Sequence, residues 1–204
     1  LYHEQREVNM KTKKSIIVLL IIAVFLLISF STKFQISKEN SMDSQITFEN
    51  LPHREGNRPQ TTPSNPHQQL NQQPEDTSHI EKLMNWAFTF QDITRRSSAI
   101  SVPGSIALWM DESHACKNCN AFMVGTEFAH FHPHPDYSMH LGLTQKDAEW
   151  VIEKGWGEWH PMIKRGILPP NMIMLYAPRN NAEMEVSKLV LSRSYDFAKG
   201  NIND

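Results

Sequence analysis

At 204 residues, 40% hydrophobic and 21% charged, the chain has the length and composition of one globular domain, which excludes collagen-like and wholly disordered classes. Its formal charge of −2 hides a split: residues 1–38 carry six basic and two acidic side chains (net +4), and residues 39–204 carry 14 basic and 20 acidic (net −6). A body of net −6 lacks the footprint for a phosphate backbone, which argues against nucleic acid as a partner, and two cysteines are too few for a disulfide framework.

In chain order, Met10 with Lys11, Lys13 and Lys14 reads as an initiation site with a basic leader, so residues 1–14 form a cytosolic N-terminus. Residues 16–30 (IIVLLIIAVFLLISF) hold a single polar side chain, Ser29. With their flanks, residues 15–36 reach the length of a ~30 Å hydrocarbon crossing, provided that Lys33 snorkels to the headgroups. A cleaved signal peptide competes with this reading, but no A-x-A site follows the run, and an uncleaved anchor is favoured. The leading lysines keep the N-terminus cytosolic, which puts the rest of a single-pass chain on the non-cytosolic side.

Residues 37–76 read as a stalk and linker. From Asn57 to Asp76 there are four prolines, five glutamines and one aliphatic residue, Leu70, too little apolar surface to offset the entropy of ordering. A flexible segment is predicted there, with 51–59 packed on the domain that follows.

That domain, 77–204, opens on Ser78-x-x-Glu81, a capping box, and apolar residues at helical spacing predict a helix over 79–95. Residues 101–103 and 106–110 read as extended, and 121–131 and 138–143 as strands, with Met139, Leu141 and Leu143 on one face and His140 on the other. Thr144-x-x-Asp147 caps a second helix that Gly155 ends in a left-handed cap. Residues 172–176 form a strand, and Asn180-x-x-Glu183 starts a last helix. Helices and strands without strict alternation predict an α+β fold: a mainly antiparallel sheet with flanking helices, preceded by one transmembrane helix.

Five of the ten histidines lie between His114 and His140. Glu127, His130, His132, His134, Asp136 and His140 are close in sequence, and His130 and His132 project from the same face of a strand, ~7 Å apart by strand rise. Pro133 and Pro135 force a loop that can bring Asp136 and His140 back to the same locus. Such a set suits a divalent metal, with His130, His132 and His140 as candidate ligands, or general-base work by neutral imidazoles. Cys116-x-x-Cys119 permits a zinc, redox, disulfide or idle-thiol reading and is given no catalytic role. The Gly155–Pro161 stretch, with Trp156, Trp159 and His160, predicts a turn with an aromatic wall. Arg179 either pairs an anionic substrate group or one of the body's acids.

Glu127-Phe128-Ala129-His130-Phe131-His132, Ser138-Met139-His140-Leu141, Lys154-Gly155-Trp156-Gly157 with His160-Pro161, and Leu175-Tyr176-Ala177-Pro178-Arg179-Asn180 resemble, in that order, the fungal luciferase family, as does the upstream stretch 51–59. The resemblance covers roughly residues 51–198. It implies a luciferase-like α+β domain at a membrane and a small-molecule substrate, a hydroxylated styrylpyrone, oxidised by O₂ without a dedicated organic cofactor. In that chemistry a cyclic peroxide loses CO₂ and leaves an excited product. Carried over by position, the implied catalytic residues are Glu127, His130, His132, Asp136, His140 and His160, and the implied substrate-binding residues are Trp156, Tyr176 and Arg179. His134 and the cysteines fall outside the match, and Met162-Ile163-Lys164-Arg165 departs from the family's small turn. The expectation is an O₂-dependent oxidoreductase on an enolic or phenolic compound. A metal-dependent enzyme of another type and a zinc-stabilised binding module are the alternatives.

Overall fold

A computed structural model describes residues 46–204, and all that follows concerns these residues. The expected anchor over 15–36 lies outside them. No helix among the described residues is long and apolar enough to cross a membrane.

Six strands, β1 (Ile93–Ser97), β2 (Ile106–Met110), β3 (Glu127–Phe131), β4 (Met139–Gly142), β5 (Gly157–Trp159) and β6 (Met172–Leu175), form one antiparallel sheet in the order β1-β2-β3-β4-β6-β5. Three α-helices accompany it: α1 (Ser78–Ala87), α2 (Gln145–Glu153) and α3 (Asn181–Lys199). The α+β class with a mainly antiparallel sheet and flanking helices is therefore correct for the described residues.

Strand alternation divides the sheet into two faces. Ala129, Phe131, Met139, Leu141, Ile173 and Leu175 pack with Leu83 and Ala87 of α1 and with Val186, Val190, Leu191 and Phe197 of α3, forming the main core. The other face carries one cross-strand row: Ala107 pairs with His130, His130 with His140, His140 with Met174, and Met174 with Glu158. Directly paired residues point the same way, so this row delivers two histidines and a carboxylate to one surface.

Local signals set several ends as expected. Thr144 Oγ1 accepts the Asp147 amide at the start of α2, and Asn180 Oδ1 accepts the Glu183 amide at the start of α3. Gly155, at φ +79°, follows α2 in the left-handed region. Other expectations need correction. The predicted helix over 79–95 stops at Ala87; the chain turns, and Ile93–Ser97 becomes the edge strand β1, where the charged side chains of Arg95 and Arg96 suit an exposed edge. Ser78 is not a cap: Asp76 accepts its amide instead. The extended segment around Pro103 is a turn, and only Glu127–Phe131 of the stretch 121–131 is a strand.

The largest departure is at 57–76. This segment lies folded on the domain, bridged between Thr61 and Gln69, with His67 and Gln69 each 2% exposed. It is held by polar contacts rather than apolar burial, which is why composition does not reveal it. The Gln69 amide donates to Asp136 Oδ1 (3.2 Å), and Gln69 Oε1 accepts the Ala177 amide (2.9 Å).

Candidate active site

The histidine face and the segment folded over it create a linear chain of side-chain contacts. Glu127 Oε1 lies 2.8 Å from His130 Nδ1, His130 Nε2 3.1 Å from His140 Nδ1, His140 Nε2 3.2 Å from His67 Nδ1, and His67 Nε2 2.8 Å from Glu158 Oε1. Three imidazoles thus join two carboxylates. Glu127 is fixed further by the Ser98 hydroxyl (2.6 Å) and the Ala99 amide (2.9 Å), so both its oxygens accept. Glu158 accepts from Thr61 (2.8 Å), Tyr176 (2.7 Å) and Arg58.

A bulge brings Glu127 into this chain. Between β2 and β3, Leu108 pairs with Ala129 but Trp109 pairs with Glu127, which leaves Phe128 as the extra residue. Three positions apart on a regular strand, Glu127 and His130 would point to opposite faces; the bulge restores them to one. Phe128 joins the core beneath the helices instead.

His132 and Asp136 form a separate pair. Asp136 Oδ2 is 2.5 Å from His132 Nδ1, while Oδ1 accepts the Ser138 and Gln69 amides. The Ser138 hydroxyl also reaches His132 Nδ1, at 3.1 Å. His132 Nε2 has no partner among the described residues. His160 is set differently. Its Nδ1 accepts the Met162 amide (3.1 Å) at the start of a short 3-10 turn, so the neutral ring carries its proton on Nε2.

Burial fixes the charge state of these rings. Burial, with the neighbouring histidines, pushes His140 well below the ordinary imidazole range, and burial lowers His130 although its hydrogen bond to Glu127 opposes the shift. His160 falls to about 3 because of burial and the nearby His67, His130 and His132. Burial alone would raise Glu158, but hydrogen bonds from His67, Tyr176, Thr61 and Arg58 outweigh it and hold the carboxyl at about 2. Tyr176 is raised, by burial and then by Glu158. At neutral pH His130, His140 and His160 are therefore neutral, and Glu158 beside them is a carboxylate.

The rings line a cavity of about 380 Å³. Its lining combines His67, His130, His132, His140 and His160 with Ile100, Val102, Met123, Met162, Ile167 and Leu168. Behind His67 and His160 lies a broader groove of about 1210 Å³ that includes Arg58, Glu158 and Tyr176.

Of the residues singled out from sequence, Glu127, His130, His132, Asp136, His140 and His160 converge here. Trp156 does not: it is buried in the core beneath the helices, its indole N–H donating to Pro52 O (2.7 Å), so it forms no wall of the cavity. Arg179 pairs with Glu183 and donates to Glu55 O, the reading in which it meets one of the body's own acids. Tyr176 reaches the site only through Glu158. His134 is exposed, and Cys116 and Cys119 form a disulfide near the end of α3, away from the cavity. Sequence reasoning missed His67 and Glu158. His67 sits in a segment without hydrophobic period, and Glu158 stood among aromatic residues that drew the functional reading.

Fold and site together define an α+β domain with a small cavity against a buried histidine cluster. The luciferase domain family model matches residues 125–194, which contain every cavity histidine except His67, so this part of the chain is a luciferase-like domain. It is similar to luciferases of Armillaria mellea (30% identity over 162 residues, 72% of this chain and 60% of the relative) and Armillaria gallica (29% over the same shares). A luciferase of Neonothopanus nambi matches at 37% identity over 73 residues, 35% of this chain and 27% of the relative. The chain thus spans about 60% of the length of the Armillaria relatives it matches. No solved structure matches.

Proposed function

We propose that the domain oxidises a small enolic or phenolic compound of styrylpyrone type, with O₂ as co-substrate. The observation that carries this reading is a cavity whose lining combines five imidazoles with aliphatic and thioether side chains. A flat conjugated ring with an ionisable hydroxyl matches it: the apolar side chains take the ring, and the imidazoles take the hydroxyl. The luciferase name of the Armillaria relatives supports a reaction of luciferase type.

In this reading the enol is bound as its anion, the electron-rich form that passes electrons to O₂. The histidines favour that anion, and the neutral His160 donates from Nε2 to its oxygen. Asp136 and Glu127 orient rather than touch the substrate, each fixing the tautomer of one histidine. Tyr176 acts through Glu158, and Arg179 by tying Glu183 to the backbone of Glu55.

The purified chain supplied with hydroxylated styrylpyrones is expected to consume O₂, with light recorded in the same assay. His160→Ala is expected to cut turnover by about 100-fold, the cost of removing one oxyanion donor. Absence of O₂ uptake with every such compound, in protein that still melts cooperatively, would remove the reading.

A further inference from the structure

We propose that His130 Nε2, His132 Nε2 and His140 Nδ1 hold one divalent transition-metal ion at the floor of the cavity. The inference rests on the reading of that cavity as the reaction site and deepens it by naming a cofactor. It starts from a count of protons. A neutral imidazole carries one N–H and one lone pair. Glu127 takes the Nδ1–H of His130, and Asp136 takes the Nδ1–H of His132, so both rings keep their lone pairs on Nε2. Glu158 takes the Nε2–H of His67, leaving a lone pair at Nδ1; three neutral rings supply one proton too few for the four contacts between Glu127 and Glu158, and the site is assigned the tautomer in which His140 gives its Nε2–H to His67. His140 is left with a lone pair on Nδ1, and that atom faces His130 Nε2 at 3.1 Å.

Two buried acceptors therefore point at each other, with a third, His132 Nε2, beside them. The ligand atoms of the three rings lie within 4.8 Å of one another. Unpaired buried acceptors are costly. A proton between His130 and His140 would satisfy two of the three lone pairs; one ion satisfies all three. The 3.1 Å separation also fits two nitrogens bound at ~2.1 Å with an angle near ~95° at the ion.

The surroundings support the same assignment. A ligating histidine ordinarily gives its second N–H to a carboxylate or carbonyl, which fixes the ring and raises its basicity. Here His130 is backed by Glu127 and His132 by Asp136, while His140 is backed through His67 by Glu158. Three protein ligands leave coordination positions open, and the three rings line the cavity, so those positions are available to a substrate oxygen. All-imidazole ligation favours the iron-to-zinc range over magnesium or calcium. His67, His140 and His160 also cluster, but His160 Nδ1 is occupied by the Met162 amide and its Nε2 carries the proton, so that set offers no third lone pair. With an ion bound, the histidine lone pairs favour the enolate through the metal rather than as free bases.

The test uses the full chain purified without a polyhistidine tag. Elemental analysis of the isolated protein, and titration of EDTA-treated protein with Co²⁺ followed by its visible absorption, are expected to give one ion per chain. Asp136→Asn and Glu127→Gln are expected to weaken Co²⁺ binding by about 10–100-fold, and His132→Ala to abolish the spectrum, whereas His160→Ala keeps it. Should His132→Ala fail to fold, the near-isosteric Asp136→Asn carries the same readout. Binding below one equivalent, or binding that Asp136→Asn and His132→Ala leave unchanged in folded protein, overturns the site. One bound ion without O₂ uptake supports the site and removes the oxidation reading. O₂ uptake by protein that binds less than one ion supports the oxidation reading and overturns the site.

Discussion

Single residues decide how this site is assembled, and Phe128 and Gly157 show it in opposite ways. Phe128 matters by being extra: as the unpaired residue of a bulge, it turns Glu127 onto the histidine face and sends its own ring into the core. Gly157 matters by being absent beyond Cα. It pairs with Leu175 where β5 meets β6, and a Cβ at this position would lie 2.3 Å from Met174 O, far inside van der Waals contact with a backbone atom that cannot swing away. Any side chain must push β5 off β6 and carry Glu158, the next residue, away from His67. Gly157→Ala is therefore expected to destabilise the domain by about 2–4 kcal/mol, as overpacking against backbone does. Urea denaturation checks it; a midpoint equal to wild type would show that the sheet edge yields freely.

Among the elements, the segment over 57–76 is the one whose order does not come from apolar burial. Gln69 pins it to the domain twice, its Oε1 accepting the Ala177 amide and its own amide donating to Asp136, while its Nε2 donates to Asn71 O within the segment. Gln69→Ala leaves the Ala177 amide without its acceptor, at a cost of about 1–3 kcal/mol. It is expected to raise the rate of proteolytic cleavage within 57–76 before it lowers the melting temperature of the whole domain. Protection equal to wild type in limited proteolysis would mean that other contacts hold the segment. The same element marks where reading the sequence ran out. Caps at Thr144 and Asn180 are signals confined to four residues, and alternation in Met139-His140-Leu141 needs only one strand, so both were legible. His130, His132, Asp136 and His140 could be grouped because they are close along the chain and a proline-bearing loop folds them together. His67 and Glu158 are 91 residues apart and meet only because the polar segment crosses the sheet, a relation with no local period to betray it. Trp156 was misread for a related reason: its environment is set by Pro52, more than one hundred residues away (|i−j| of 104). β1 and β5 were lost to the helical spacing of the residues before one and to the three-residue length of the other.

At the scale of the molecule, the site gives the fold a dependence on pH whose sign follows from its protonation states. His160 stays neutral in the folded protein down to about 3, against an ordinary imidazole value of 6.5, and His130 and His140 are lowered as well. Below 6.5 the unfolded chain therefore takes up protons that the folded chain refuses, and stability drains away as pH falls from 6.5 toward 3. Glu158, held at about 2 against an ordinary 4.5, adds a second loss that begins below 4.5 and runs toward 2. Above 6.5 neither set contributes any slope. For metal-free protein the expected profile is flat from pH 8 to 7, falling below 6.5 and steeper once Glu158 joins. A domain of this size loses ~2–4 °C in Tm per kcal/mol, so the drop between pH 7 and 4 should exceed about 5 °C. His160→Asn, which removes one titrating ring, is expected to make the fall shallower from 6.5 to about 3 while leaving the contribution of Glu158 below 4.5 in place. Calorimetry across this range decides the matter: a Tm constant from pH 7 to 4 would mean that these rings take up protons in the folded protein as readily as in the unfolded chain.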